Sequence, residues 1–216
     1  MPFTTAIFDM DGTLFDTERL SMDVLQVVLG KYDLAIPRQA LESVIGLDSK
    51  RTEAVLMRFI PPSIGVDRIL KRAGALIRSE IEARGLPLKK GAREVLAYLK
   101  ARGTAVGLAT STSTERARDN LRRSNLADYF QTTIGGDQVA QGKPHPDIYL
   151  KALAELHASP EDALAVEDSD HGIQSAAAAG MRVIHVPDIK QIDAETMARV
   201  HRKYDSLLDF RDDMSF

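Results

Sequence analysis

Four short stretches of this chain carry residues whose types and spacing could do chemistry. Asp9-Met10-Asp11-Gly12-Thr13 sets two carboxylates two positions apart, ahead of a glycine. Thr110-Ser111-Thr112 offers consecutive hydroxyls and amides, Lys143-Pro144-His145-Pro146-Asp147 places a lysine before proline, and Glu167-Asp168-Ser169 puts two acids side by side. Taken singly, each has an ordinary reading. Asp and Gly are turn formers, an acidic pair serves as a helix N-cap, and a loop lysine is usually solvated. Taken together, they describe one kind of site. Carboxylates converging from different strands cannot all stay ionised without a cation, and an oxygen-only donor set favours Mg²⁺ over zinc. A lysine beside them offsets the remaining charge and can hold a phosphate oxygen, while Thr110 and the amide of Ser111 can hold another. Such a set is suited to phosphoryl transfer, where positioning and charge neutralisation do most of the work. An aspartate is then a competent nucleophile, forming an aspartyl-phosphate.

The elements that must position these groups are legible as short apolar runs: Thr4 to Phe8, Ala105 to Ala109, Thr132 to Ile134, Ala163 to Val166 and Arg182 to Val186. None alternates strictly, as expected of strands buried on both faces. Helical patterns lie between them, at Gly91 to Arg102 (with Val95, Leu96 and Leu99 on one stripe), Thr114 to Ser124, Pro146 to His157 and Gly172 to Gly180. This alternation predicts a parallel sheet with crossover helices, an α/β Rossmann-like three-layer core. Ligands of such sheets sit beyond the carboxyl ends of the strands, and that edge is where all four stretches fall. One region breaks the alternation. From Thr17 to Leu86 only helical periodicity is found, with Val24, Leu25, Val28 and Leu29 as one stripe and Ile69 to Glu82 as a further helix. A block that long is an inserted all-helical domain rather than a loop. The expected division is residues 1–16 and 87–216 for the core and 17–86 for the insertion. The segment from Ile189 onward is polar, with an apolar patch at Leu207, Leu208 and Phe210, and no element is assigned to it.

Composition narrows the class. With 216 residues, 44% hydrophobic and 27% charged, a sizeable core is expected. A net charge of -3 gives no electrostatic reason to expect nucleic acid or an anionic membrane as partner. The absence of cysteine removes thiolate chemistry and suits a reducing cytoplasm. The first residues lack a basic leader and no run approaches the ~20 apolar residues of a membrane helix, so a soluble cytoplasmic protein is expected. No GxxxxGK[ST], GxGxxG or GxSxG motif occurs, and the histidines show no metal-ligand spacing.

In these four stretches the sequence resembles the haloacid dehalogenase superfamily, specifically its phosphatases with a helical cap, of the β-phosphoglucomutase-like and phosphoglycolate phosphatase-like branch. Asp9 to Thr13 matches DxDGT, Thr110 the hydroxyl after the second strand, Lys143-Pro144 the third motif, and Glu167 to Gly172 the pattern EDSxxG. The resemblance implies that Asp9 attacks phosphorus and binds Mg²⁺, and that Asp11 is general acid and then base, lending its carbonyl to the metal. It implies that Thr110 and Ser111 hold the phosphoryl group, Lys143 neutralises charge, Asp168 ligates the metal directly and Glu167 acts through a metal-bound water. The insertion would be the cap, with Gly46, Lys50 and Arg51 as candidate specificity residues; for Lys50 and Arg51 a solvated helix face is the other reading. Dehalogenases of the superfamily generally lack the second aspartate, so Asp11 favours phosphate esters. The expected substrate is a small phosphorylated metabolite, foremost a sugar phosphate. A β-phosphoglucomutase-type phosphomutase is the alternative, weakened because Ser21, Ile45, Ser49 and Thr112-Ser113-Thr114 stand where that enzyme grips a second phosphate. A receiver-like binding module is the non-enzyme alternative; receivers are shorter and have no helical insertion.

Overall fold

The computed structural model describes residues 3–44 and 49–214, with backbone only for 49–51. The chain forms two compact units, Met1–Asp16 with Leu88–Phe216, and Thr17–Pro87.

The first unit is built on a six-stranded, all-parallel sheet. Its strands are β1 (Thr5–Phe8), β2 (Ala105–Thr110), β3 (Thr132–Gly135), β4 (Ala163–Glu167), β5 (Arg182–His185) and β6 (Arg202–Lys203), in the order β3-β2-β1-β4-β5-β6. From β1 the chain moves outward through β2 to β3, then returns to the other side of β1 to lay down β4. The strand order reverses beside β1, which leaves a crevice beyond its carboxyl end. All four residues of β1 are buried, as a central strand covered on both faces requires. The register Phe8↔Leu108 on one side and Phe8↔Val166 on the other brings the ends of β1, β2 and β4 level.

Following the helices of the other unit, α1 to α4, the helices of this one are α5 (Ala92–Ala101), α6 (Thr114–Arg123), α7 (Asp147–Glu155), α8 (Asp170–Ala178), α9 (Ala194–Met197) and α10 (Leu207–Asp213). One face of the sheet, carrying Ile7, Ala165 and Val183, is covered by Ile148 and Ala152 of α7 and Ile173 of α8. On α5, Val95, Leu96 and Leu99 are the buried stripe, and the helix stops at Gly103, which has a left-handed φ of 72°. The C-terminal apolar patch belongs to α10, whose Leu207 and Phe210 are buried. Strand β6 was not expected. It is two exposed, charged residues recruited by pairing with Ile184 and His185, and it has no apolar signal to read.

The second unit is all-helical: α1 (Thr17–Gly30), α2 (Arg38–Ser43), α3 (Ser49–Leu56) and α4 (Val66–Arg84). Val24, Leu25, Val28 and Leu29 of α1 pack with Leu41, Leu56 and Ile69 into a separate apolar core. The short helix α2 was not foreseen; its one buried residue, Leu41, is too little for a periodicity. Among the described residues no helix is long and apolar enough to cross a membrane.

Candidate active site

Strand β1 delivers Asp9 to the crevice, continuing the ladder through its N–H to the carbonyl of Val166 (3.0 Å). The chain then doubles back. The carbonyl of Met10 accepts from the amides of Leu14 and Phe15 (2.9 and 3.1 Å), and the amide of Gly12 donates to Phe15 (2.9 Å). Gly12 has φ 87°, and a Cβ there would overlap the Asp168 carboxylate. The next residue completes the fit, since Thr13 Oγ1 donates to Asp168 Oδ1 at 2.8 Å. The glycine and threonine of this stretch therefore shape the place where an acid from β4 meets the end of β1. Asp11 stands one step outward, its Oδ2 accepting from Thr112 Oγ1 at 2.9 Å.

Thr110 closes β2. Its Oγ1 accepts from the amide of Thr112 (3.1 Å), which leaves its own O–H as a donor. Ser111 is exposed. Asp137, past β3, accepts from the N–H and Oγ1 of Thr114 (2.7 and 2.8 Å) and so fixes the start of α6 behind this loop.

Strand β4 ends in Glu167, which is fully buried, and Asp168, 8% exposed. Glu167 Oε1 accepts from Lys143 Nζ (2.5 Å) and Tyr149 Oη (2.7 Å), while Oε2 lies against the amides of Asp168 and Ser169 and the hydroxyl of Ser169 (3.1, 3.4 and 3.2 Å). Ser169 also caps α8, accepting from the amide of Gly172 (3.2 Å). A Cβ on Gly172 would overlap the Glu167 carboxylate. The glycine of the EDSxxG stretch is thus set by the close approach of α8 to this buried acid.

Lys143 arrives from the loop before α7, which Ser175 Oγ fastens by donating to the carbonyl of His145 (2.6 Å). Its ammonium, on a side chain 6% exposed, bridges Asp9 Oδ1 and Glu167 Oε1 at 2.5 Å each and lies 5.2 Å from the ring centre of Tyr149. Burial alone would lower its pKa, but the two carboxylates more than offset this and hold it above the ordinary lysine range. Asp9 is pushed up to about 7, by burial first, then by the negative charges of Glu167 and Asp11, with Lys143 opposing. Burial and the neighbouring carboxylates raise the Tyr149 hydroxyl, so it stays a donor. His185, with Nδ1 3.2 Å from the Glu167 carbonyl, is lowered by burial.

One carboxylate oxygen from each of Asp9, Glu167 and Asp168 lies within 4.8 Å of the others, and all three residues are buried. A single lysine facing three buried acids leaves the point short of positive charge, as the raised Asp9 reflects. The residues therefore fit a divalent cation, and the all-oxygen donor set fits a hard one. Asp9, Lys143, Glu167 and Asp168 are brought together directly. Asp11 and Thr110 join through Thr112. Gly46 and the side chains of Lys50 and Arg51 lie outside the described residues. Sequence reasoning gave no role to Thr13, Thr112 or Tyr149. The one available signal for Tyr149 was a hydroxyl-bearing ring amid the apolar stripe of the helix that follows Lys143.

Comparison with known proteins bears on this geometry. Residues 6–186 match the model of a family described as haloacid dehalogenase-like hydrolase. A phosphorylated carbohydrates phosphatase of Thermotoga maritima is 33% identical over 179 residues, covering 83% of this chain and 82% of that one. Hexitol phosphatase B of Escherichia coli is 34% identical over 188 residues, covering 84% and 82%. Among solved structures, a HAD family hydrolase of Deinococcus radiodurans with bound phosphate and sodium superposes with a TM-score of 0.82 at 26% identity, covering 99% of this chain and 96% of that chain.

Proposed function

This chain belongs to the haloacid dehalogenase-like hydrolases and is a phosphatase of that family, and we propose that it hydrolyses a small phosphate monoester, foremost a sugar phosphate, through an aspartyl-phosphate on Asp9 with Mg²⁺ as cofactor. The observation that carries this is the bridge of Lys143 between Asp9 and Glu167 beside Asp168. The carbohydrate class is supported by the two relatives, whose names specify phosphorylated carbohydrates and hexitols.

An oxygen of Asp9 attacks phosphorus as the bond to the leaving oxygen breaks, and Asp11 supplies the proton that oxygen needs. Thr112 holds Asp11 through its Oδ2, so one rotamer serves the transfer. Water then attacks the phosphorus of the aspartyl-phosphate while Asp11 takes its proton, and phosphate leaves with Asp9 restored as a carboxylate. Thr110 Oγ1 and the Ser111 amide bind phosphoryl oxygens, and Lys143 opposes the burial that disfavours the Asp9 carboxylate. Asp9, Asp168, Glu167 and the carbonyl of Asp11 would hold Mg²⁺, which when bound supplies charge neutralisation for the transferring group. The helical insertion, with Gly46, Lys50 and Arg51, is assigned the choice of leaving group.

A phosphate-release screen over a panel of monoesters with Mg²⁺, including β-glucose 1-phosphate, tests this. Hydrolysis of several sugar phosphates is expected. Conversion of β-glucose 1-phosphate to glucose 6-phosphate without phosphate release, or no release from any monoester, overturns it.

A further inference from the structure

Beside Asp168 lies a second ion pair with little exposure, Lys89–Asp188. Beyond β5 the chain keeps to the ladder for one more residue, with the amide of Val186 donating to the carbonyl of Glu167 (2.9 Å), and Pro187 then leads into Asp188. The Asp188 side chain is 2% exposed, and its Oδ1 accepts from Lys89 Nζ at 2.6 Å. Lys89 is itself tied to the Asp9–Thr13 loop, since its amide donates to the carbonyl of Leu14 (2.9 Å). Asp188 Oδ2 is buried and has no hydrogen-bond partner among the described residues. A buried carboxylate oxygen left without a donor is costly. One carboxylate oxygen of Asp188 also lies within 4.8 Å of one of Asp168. Two carboxylates so close repel unless a donor or a cation stands between them.

Building on the metal reading given under Proposed function, we propose that Asp188 is an outer ligand of the metal site, accepting through Oδ2 a hydrogen bond from a water carried by the cation that Asp168 holds. Lys89 fixes the carboxylate through Oδ1. Outer partners of this kind orient the inner ligands and raise affinity for the metal.

The test is equilibrium binding of Mn²⁺, an octahedral oxygen-seeking stand-in for Mg²⁺, followed by the paramagnetic signal of the free ion with no substrate present. Asp188→Asn keeps the shape and removes the charge; it is expected to stay folded and to weaken Mn²⁺ binding roughly 10-fold or more, and Asp188→Ala by up to about 100-fold. Should Asp188→Ala fail to fold because it leaves Lys89 without its partner, the double variant Lys89→Met/Asp188→Leu removes both charges and carries the same expectation. Folded variants that bind Mn²⁺ as the wild type does overturn the proposal. Asp168→Asn separates the two levels. If it abolishes binding while the Asp188 variants do not weaken it, only the outer ligand falls; if it too leaves binding unchanged, the metal reading itself falls.

Discussion

The catalytic edge of the sheet and the helical unit both contain lysine or arginine paired with carboxylates, yet the pairs differ in every physical respect. Lys143 meets Asp9 across 134 positions of sequence and Glu167 across 24. The side chains involved are 6%, 10% and 0% exposed. In the helical unit, Arg38–Glu42, Asp67–Lys71 and Glu80–Arg84 are one helical turn apart, and the Lys71 and Asp67 side chains are 77% and 70% exposed. Solvated i,i+4 pairs of this kind contribute a few tenths of a kcal/mol. A buried set meets a desolvation penalty that often exceeds its mutual attraction, so stability does not explain its presence. The proposed phosphoryl transfer accounts for it, since that reaction needs a nucleophile, a lysine and metal-holding acids in one place. The same residue types are therefore machinery in one region and a solvated face in the other, and burial decides which.

The contrast breaks first at Asp9. Asp9→Asn keeps the shape and removes the nucleophile, so phosphate release is expected to fall by roughly 10³-fold or more. Its stability should move the other way. Because the folded-state pKa of Asp9 is raised to about 7 from its ordinary 3.8, the contribution of this carboxyl to the stability of the metal-free wild type is lost as pH rises from about 4 to about 7: the unfolded chain gives up this proton first. The asparagine has no proton to lose. In chelator, thermal melts should therefore show Asp9→Asn gaining on the wild type across that window and keeping its advantage above it. A variant that loses ground with rising pH refutes the account of Asp9 as a carboxylate made costly by burial. Next in size is Lys143→Met, which leaves Asp9 and Glu167 buried without their cation. A cost of about 3–5 kcal/mol is expected from urea unfolding without metal, together with loss of turnover.

Tyr149→Phe sharpens the comparison, because it removes one donor from the buried set and leaves every charge in place. The hydroxyl donates to Glu167, which retains Lys143 on the same oxygen. An expected cost of about 1–2 kcal/mol follows, with kcat lowered within roughly 10-fold and KM unchanged, the pattern for a residue that aligns Lys143 rather than touching substrate. A raised KM at constant kcat would contradict that role.

The two regions also differ in what the sequence discloses. The central strands declare themselves as apolar runs because both faces are covered, and Asp9, Thr110, Lys143 and Asp168 draw attention because each follows a strand or opens a helix at the same edge. The roles of Gly12 and Gly172 follow from close approach of Asp168 and Glu167, which no local pattern encodes. Tyr149 looks like one more core residue of α7 until its hydroxyl is seen on Glu167. The pair Lys89–Asp188 joins residues 99 positions apart, each unremarkable in its own segment. Strand β6 exists only because β5 offers an edge to pair with. In the helical unit the apolar stripe of α1 is legible. Nothing in its polar residues says which of them a substrate would meet, because a solvated arginine and a ligand-binding one carry the same local signal.

The smallest expected effect tests the solvated side of the contrast. Lys71 lies two residues beyond Ile69, roughly 200° around the helix from it, whereas Val66, Ile69 and Ala73 are the buried residues of α4. Its pair with Asp67 spans 2.9 Å with both side chains largely in water. Lys71→Ala removes that pair, worth about 0.3–0.5 kcal/mol, and substitutes the best helix former at an interior position, which returns a similar or smaller amount. Urea unfolding should therefore move by less than about 0.5 kcal/mol in either direction, and the small loss should shrink further in high salt, where exposed pairs are screened. A loss above about 1 kcal/mol that persists in salt would mean that this pair is held as the Lys143 set is, and that exposure does not divide the ion pairs of this protein into the two kinds drawn above.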